Sequence, residues 1–560
     1  MENRYCRTIR QLVKEIILTT INAKWIHPSL ALRLLKANLG SLEERCEIIE
    51  LNLRQPLAEK IEALAAVRPL ILGISVSIWN HLATLELLEE LGKTWAEKGA
   101  KPIVVLGGPE VTHLPESSEI FRFADYVIRG EGETAFRLLC ENIFEEGAQR
   151  LSGGIRRVFE NGQAKACVDK GHDRPAPGGA LRTLFSGIMQ NDVKNLKAAY
   201  HLYTDEDIAK KLIYVEASRG CPFNCEFCLS AVKPKTEEQG GVVREFPLEP
   251  FLAEMDALVK GANKTHSVSC VDEQMLHGVA PVKSSLNNKG SEPLGERACG
   301  AKTFKFLDRT FNINIKRALR IIEFFLEKLE RQKARLVVHF EMVPSIFPPE
   351  LREALTRFPP ETLRLEIGIQ TLNTETAALI GRFSEPEKEL ETICFLREKT
   401  NAVVHADLIA GLPGEDLASF GRGFDRLWQA MESAKFDSAR AGHPRAEIQP
   451  GILKLLPGAP ISRHSEAFGM RYNPLPPYEI EETASISAPE LLRIRNFARF
   501  WELIVNRGLA DFAEKGPVFN KFMTLSDMLY SHFGRNWGID RGELLEFLEK
   551  KAEMTKFNKN

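Results

Sequence analysis

The feature that most restricts how this chain can fold is a rhythm of short apolar runs and helical patterns, met twice along its length. In the first pass KEIILTT (14–20), CEIIELNL (46–53), PLILGISVSIW (69–79), KPIVVLGG (101–108) and ADYVIRGEGE (124–133) read as strands. Between them SLALRLLKANL (29–39), QPLAEKIEALAAV (55–67) and HLATLELLEELGKTWAEKG (81–99) space their apolar residues as amphipathic helices do. Strands that alternate with helices predict a parallel sheet, so residues 1–150 are expected to form a doubly wound, Rossmann-like α/β domain. The second pass runs through LIYVEASRG (212–220), KTFKFLDRTFN (302–312), RLVVHFEMV (335–343), TLRLEIGIQ (362–370), AVVHADLIAGLPGE (402–415) and AEIQPGILKLLPG (446–458). Helical patterns such as IKRALRIIEFFLEKLERQ (315–332) separate them, and this longer series predicts a partial α/β barrel over 211–460.

The remaining stretches are less regular. Residues 151–210, with PAPGG at 175–179, read as a linker. Residues 262–300, polar and rich in Gly, Ser and Asn, read as an insertion, and 433–445 as a shorter one. A helical pattern returns after about residue 485, so 461–560 is expected to be a helical C-terminal segment. The 560 residues suffice for about three domains of ordinary size. With 74 basic against 76 acidic residues the formal charge is −2, which gives no reason to expect a nucleic acid or an anionic membrane as partner. No apolar run approaches the roughly 20 residues of a membrane span. Ten cysteines without a secretory pattern point to a reducing, cytoplasmic setting, where clustered cysteines more often bind metal or act in catalysis than pair as disulfides.

In a doubly wound sheet, ligands bind beyond the carboxyl ends of the strands. Those ends here are Thr19-Thr20-Ile21-Asn22, Ser75-Val76-Ser77, Gly107-Gly108-Pro109-Glu110 and Arg129-Gly130-Glu131-Gly132-Glu133. Each alone suits an ordinary tight turn; four in one sheet favour a nucleotide-like or corrin-like ligand that backbone can approach closely. The second signal is Ser218-Arg219-Gly220-Cys221-Pro222-Phe223-Asn224-Cys225-Glu226-Phe227-Cys228. Zinc would want a fourth ligand at similar spacing. The next candidates, His266 and Cys270, lie far off in the insertion. Three thiolates on a 4Fe–4S cluster leave one iron open, as a cluster that binds substrate requires. Zinc and isolated thiols stay open as the bland readings.

The C-x3-C-x2-C loop directly after a strand, with Phe227 before the last cysteine, resembles the signature of the radical S-adenosylmethionine superfamily. The resemblance implies a partial (β/α)6 barrel in which Cys221, Cys225 and Cys228 hold a 4Fe–4S cluster whose fourth iron is chelated by S-adenosylmethionine. It further implies that Phe227, Glu341, Glu366, Gln370, Gly411 and Leu412 contact S-adenosylmethionine, with Glu415 a weaker candidate. The GGPE-like turn at 107–110 and the DYVxxGEGE-like strand at 125–133 resemble the cobalamin-binding branch of that superfamily. TTINAKWIHPSLALRLLKANL (19–39) and KTFKFLDRTFNIN (302–314) resemble a subgroup with a C-terminal domain of unknown function. Cobalamin would then rest on Thr20, Asn22, Ser75, Ser77, Gly107, Gly108, Gly130 and Glu131. The Asp-x-His-x-x-Gly motif that supplies a lower cobalt ligand elsewhere is absent, and His27 has the wrong context for that role.

What this implies is a cobalamin-dependent radical enzyme, expected to be a methyltransferase acting at an unactivated carbon through a 5′-deoxyadenosyl radical. Radical rearrangement, cyclisation or ring contraction without methyl transfer is an alternative. So is a methylthiotransferase-like enzyme, disfavoured because Cys6, Cys46, Cys140 and Cys167 are scattered. A non-catalytic cobalamin or redox sensor would have no need of a cleavable sulfonium. The expected partners are a small-molecule or peptide substrate and a reductant such as flavodoxin or ferredoxin.

Overall fold

Two six-stranded parallel sheets carry the fold. The computed structural model describes residues 14–99, 101–149, 157–160, 163–166, 184–231, 243–263, 302–331, 334–432, 446–509 and 516–557. The expected insertions at 262–300 and 433–445 lie outside the described residues, apart from 262–263, which end a helix.

The first sheet takes β1 (Ile16–Asn22), β2 (Cys46–Asn52), β3 (Ile71–Ser75), β4 (Ile103–Gly107) and β5 (Tyr126–Gly130), in the order β2-β1-β3-β4-β5. Its strands are near-continuous apolar runs because both faces are covered. Ile17, Leu72 and Val104 pack into one core layer, and Ile16, Leu18, Ile71 and Val105 into the other. After a short antiparallel hairpin, β6 (Arg157–Glu160) and β7 (Gln163–Ala166), the chain adds β8 (Leu184–Met189) beside β5, in parallel. The stretch 151–210 is therefore more than a linker: it completes the first sheet. Its six-residue strand LFSGIM was too short and too isolated in sequence to be told from a loop.

The second sheet takes β9 (Ile213–Val215), β12 (Lys302–Phe306), β13 (Leu336–Met342), β14 (Leu363–Gln370), β15 (Val403–Ala410) and β16 (Ala446–Ile452), in the order β16-β15-β14-β13-β12-β9. A two-stranded antiparallel piece, β10 (Ser218–Arg219) with β11 (Arg244–Glu245), brackets the cysteine loop. Helices cover one face only. The helix Ile315–Glu330, capped by Asn314, buries Ala318, Ile321, Ile322 and Phe325 at helical spacing. The strands match this one-sided cover by alternating: in β13 Leu336, Val338, Phe340 and Met342 are buried, while Val337, His339 and Glu341 point to the opposite face.

After β16 the chain does not go straight into helices, as the reading of 461–560 had it. Residues 460–482 make a short 3-10 turn and an antiparallel pair, β17 (Arg471–Tyr472) with β18 (Ile480–Glu482). Helices Ala488–Trp501, Phe519–Phe533 and Arg541–Phe557 follow. The first two dock on the barrel helix Leu417–Glu432 through an aromatic cluster, in which Phe424 meets Trp501 edge-on at 4.8 Å and Phe497 at 5.0 Å, and the third packs Phe547 against His532 and Phe533. Among the described residues no helix is long and apolar enough to cross a membrane.

Candidate functional site

Gly220, at φ +98°, turns the chain out of β10 into the cysteine loop. Within the loop the Cys228 amide donates to the Cys225 carbonyl at 3.0 Å, and the Ser230 amide donates to the Cys228 Sγ at 3.4 Å. Two neighbouring segments clamp it. Glu226 N–H donates to the Ile380 carbonyl at 2.9 Å, and Gly381 (φ +62°) lies so close that a β-carbon there would stand 2.9 Å from the Asn224 carbonyl. On the other side the Ile461 amide donates to the Glu226 carbonyl at 3.0 Å, and the buried Glu226 carboxylate pairs with Arg463 and with His464 Nε2 at 2.9 Å.

Burial, and then the two neighbouring thiols, push Cys221 up to about 11. Burial raises Cys225 as well, opposed by the nearby positive charge of Arg382. A cationic centre bound by these thiols would release their protons. Among the described residues no three His, Cys, Asp or Glu side chains close around a single ion. A four-iron body is wider than one ion and asks its thiolates to stand further apart. The donor set, three half-buried thiols with Arg382 behind them, fits such a cluster.

The open face of the second sheet is lined by charge. Lys305 Nζ lies 3.3 Å from Glu366, and His339 Nε2 lies 3.4 Å from the same carboxylate. His405 meets Glu447 at 3.0 Å, Asp407 at 3.2 Å and Gln449 at 2.8 Å. Contact with His339, against burial, holds Glu366 down at about 2, whereas burial lifts Glu341 to about 7. Glu341 and Glu366 face each other across β13 and β14, so the structure brings these two expected residues together. Gln370 ends β14 at φ +68°, folded back so that its Nε2 fills the space above Gly368. Gly411 (φ +86°) and the buried Leu412 sit at the end of β15, and Phe227 packs on the barrel core. Glu415 is buried and accepts from Thr371 at 2.9 Å, which makes it a brace for the end of β14.

Desolvation would lower His405, but its hydrogen bonds to Asp407 and Glu447 prevail and raise it to about 10. A raised folded value stabilises most at low pH. The contribution is complete below the ordinary 6.5 and fades as pH climbs to about 10. His405→Gln is expected to cost on the order of 1–3 kcal/mol at pH 6 and to converge with the parent chain near pH 10, measured as urea midpoints.

A cavity of about 420 Å³ opens at the carboxyl ends of the first sheet. Its floor is apolar, with Leu18, Gly73, Val105 and Phe136, and its rim carries Ser75, Gly107, Gly108, Gly130 and Glu131. The far wall belongs to the barrel: Glu216, Arg219, Leu307 and Leu229, the residue after Cys228. Arg219 ties the two walls, at 2.6 Å from Glu133, 3.4 Å from Glu131 and 3.0 Å from Glu216. Arg244 holds Glu131 from the other side at 2.5 Å.

Five of the eight residues expected at this ligand line the cavity. Thr20, Asn22 and Ser77 do not. Thr20 donates to the Ser75 carbonyl at 2.8 Å, Asn22 donates to Glu50 at 3.1 Å, and the Ser77 amide donates to the buried Asn80 at 2.8 Å. They tie strand ends to one another beneath the rim. Gly108, at φ +106°, passes so near β3 that a β-carbon would stand 2.5 Å from the Val76 carbonyl. Gly108→Ala is expected to destabilise the domain by about 1–3 kcal/mol, read as a lowered urea midpoint. A mostly apolar cavity whose rim includes glycines that let backbone approach fits a large ligand with an apolar part.

Residues 16–140 match the family model of the B12 binding domain. An uncharacterized methyltransferase of Pyrococcus horikoshii, PH0819, is 28% identical over 223 residues, 39% of this chain and 36% of that protein. The chain thus spans about a third of the length of that curated relative. The structure of OxsB, a cobalamin-dependent S-adenosylmethionine radical enzyme with aqua-cobalamin and S-adenosylmethionine bound, superposes with a TM-score of 0.57 at 13% identity. That likeness covers 98% of this chain and 76% of OxsB. TsrM of Kitasatospora setae, a radical S-adenosylmethionine methyltransferase with tryptophan and a S-adenosylmethionine analogue bound, gives 0.51 at 16% identity, over 97% and 100%. Over nearly all of its own length the chain therefore shares the fold of these proteins.

Proposed function

We propose that this chain, a B12 binding domain followed by a barrel of the OxsB and TsrM fold, is a cobalamin-dependent radical S-adenosylmethionine enzyme and acts as a methyltransferase at an unactivated carbon. The observation that carries the reading is the shared cavity: its floor and rim come from the first sheet, and its far wall includes Leu229, next to the cysteine loop. A substrate carbon has to reach both cofactors, and only a space walled by both domains allows it. Bound there, a reduced cluster with S-adenosylmethionine supplies the carbon radical and cobalamin supplies the methyl group.

Cys221, Cys225 and Cys228 would hold the cluster. Glu226 keeps the loop in place through its backbone bonds to Ile380 and Ile461 and its side-chain bonds to Arg463 and His464, so the loop's backbone is set without the metal. Phe227, Glu341, Glu366, Gln370, Gly411 and Leu412 would receive S-adenosylmethionine, with the polar face of β13–β15 meeting its charged end. The strand-end residues Ser75, Gly107, Gly108, Gly130 and Glu131 would hold the cobalamin. The reading places the protein in the cytoplasm, supplied by a flavodoxin- or ferredoxin-type reductant, with a small molecule or peptide as substrate.

Anaerobic reconstitution with iron, sulfide and cobalamin tests it. The loaded protein is expected to hold about four irons, show a base-off cobalamin spectrum, and form 5′-deoxyadenosine from S-adenosylmethionine on reduction. A protein that binds the cluster but no cobalamin would sink the methyltransferase reading.

A further inference from the structure

Residues between β16 and the C-terminal helices touch three parts of the candidate site. At one end the exposed Arg463 and the buried His464 grip Glu226 in the middle of the cysteine loop. Ile480, near the far end of the segment, packs on Gly411, where a β-carbon would stand 2.6 Å from its Cγ2. At the other end Tyr478 reaches the short helix Pro109–His113, which follows β4, and donates to Glu110 at 2.6 Å. Glu110 is buried, and its same oxygen contacts His81 Nδ1 at 2.9 Å. Gly458, at φ +84°, lies against the His113 ring on the cavity rim, where a β-carbon would stand 2.6 Å from Cγ.

The segment is itself braced. The Leu455 amide donates to the Tyr478 carbonyl at 3.0 Å, the Ile480 amide donates to the Leu453 carbonyl at 2.9 Å, and the Leu453 amide donates to the Ala410 carbonyl at 3.0 Å. Tyr478 holds φ +57°, which is costly for a residue with a β-carbon and is kept only when surrounding contacts enforce it.

We infer that residues 453–482 form a strap that holds the cobalamin cradle, the barrel rim and the cluster loop in fixed register, with Arg463 and Tyr478 as its two positioning residues. Neither touches the reacting groups. Each fixes a motif residue, Glu226 of the cysteine loop or Glu110 of the glycine turn, against one rigid body. The inference rests on the proposed function for the identity of the cofactors but not for the mechanical link between the loops.

Hydrogen exchange on the cofactor-free chain tests the link directly. Tyr478→Phe removes one hydroxyl and is expected to speed amide exchange at least about fivefold within the cysteine loop, at the far end of the strap. Arg463→Gln, a change at an exposed side chain that leaves folding intact, is expected to do the same for residues 109–113. In the loaded protein, the distance distribution between the reduced cluster and cob(II)alamin, read by pulsed electron resonance, is expected to be about twice as broad in Tyr478→Phe. Exchange that changes only next to the substitution in both variants overturns the strap, and should Tyr478→Phe not fold, Arg463→Gln decides alone. Failure to bind cobalamin or cluster would overturn the functional reading instead, with the exchange result still deciding the strap.

Discussion

Cys225→Ala is expected to fold, to bind cobalamin as well as the parent chain does, and to lose 5′-deoxyadenosine formation by more than about a hundredfold. The argument starts from the loop. Its shape is set by backbone hydrogen bonds from Glu226 to Ile380 and from Ile461 to Glu226, and by the close approach of Gly381 to Asn224. None of these needs the Cys225 thiol, so the fold survives. The thiol is half-buried beside Cys221 and Cys228, with Arg382 against it, and among the described residues no other Cys, His, Asp or Glu joins these thiols as a ligand group. A cluster held by two thiolates has lost one of three anchors on a half-open surface, and iron content should fall well below that of the parent. Cys394 provides the control. It lies on the helix Pro386–Lys399, with its Sγ facing the Ala430 carbonyl at 3.8 Å, away from the loop. Cys394→Ala should keep both iron and product. Cobalamin binding unaltered in Cys225→Ala would separate the two cofactor sites, since the cradle is built on the other sheet. Iron and 5′-deoxyadenosine retained in Cys225→Ala would refute the cluster assignment outright.

How much of this could be read in the residues follows from range. The strands of both sheets were legible because strand length and apolar content are local, and each expected strand from 14 to 133 and from 212 to 458 is present within a few residues. The cysteine loop and the glycine turns were legible for the same reason. Their partners were not. Arg219 stands in the cysteine motif itself, yet its task depends on Glu131 and Glu133 nearly ninety residues earlier, brought close only by the docking of two sheets. Tyr478 and Glu110 meet across an even longer separation, and no periodicity announces such a pair. Thr20 and Ser77 were read as ligand contacts because small polar residues at strand ends often are; here Asn80, buried among them, takes up their bonding capacity. One local signal was present and passed over. Strands of a barrel filled with apolar side chains read as continuous apolar runs. In β13, β14 and β15 the charged residues recur at every second position, as in His339-Phe340-Glu341, Arg364-Leu365-Glu366 and His405-Ala406-Asp407. That period of two announces a barrel whose inner face is polar, and hence one that holds a charged ligand.

The second large effect is expected at Arg219, where Arg219→Gln should destabilise the joint between the sheets by about 3–5 kcal/mol at neutral pH. Burial alone would favour the neutral guanidine. Glu216, Glu133 and Glu131 outweigh it and hold the group firmly charged. Three carboxylates around one cation is more than simple pairing requires, and the cost of removing the cation is that of leaving them facing one another in a dry joint. Glu131 keeps Arg244, so most of the loss falls on Glu133 and on Glu216, which burial already lifts to about 7. The sign of the pH dependence follows. Without Arg219 the folded values of these carboxyls rise above their ordinary range, so the folded state takes up protons that the unfolded chain does not, and the deficit shrinks as pH falls. Urea midpoints should differ widely between parent and variant at pH 8 and approach one another at pH 5. Arg219→Lys should recover part of the loss, because it restores the charge but cannot reach three carboxylates with one forked, planar group. Removing a carboxylate as well, in Arg219→Gln with Glu216→Gln, should cost less than the sum of the two single changes, which a double-mutant cycle measures as coupling. A deficit independent of pH would mean that Arg219 packs rather than pairs. The same cation fixes Glu131 and Glu133 at the end of β5, on the cavity rim, so loss of this joint should loosen the cradle and the cysteine loop together.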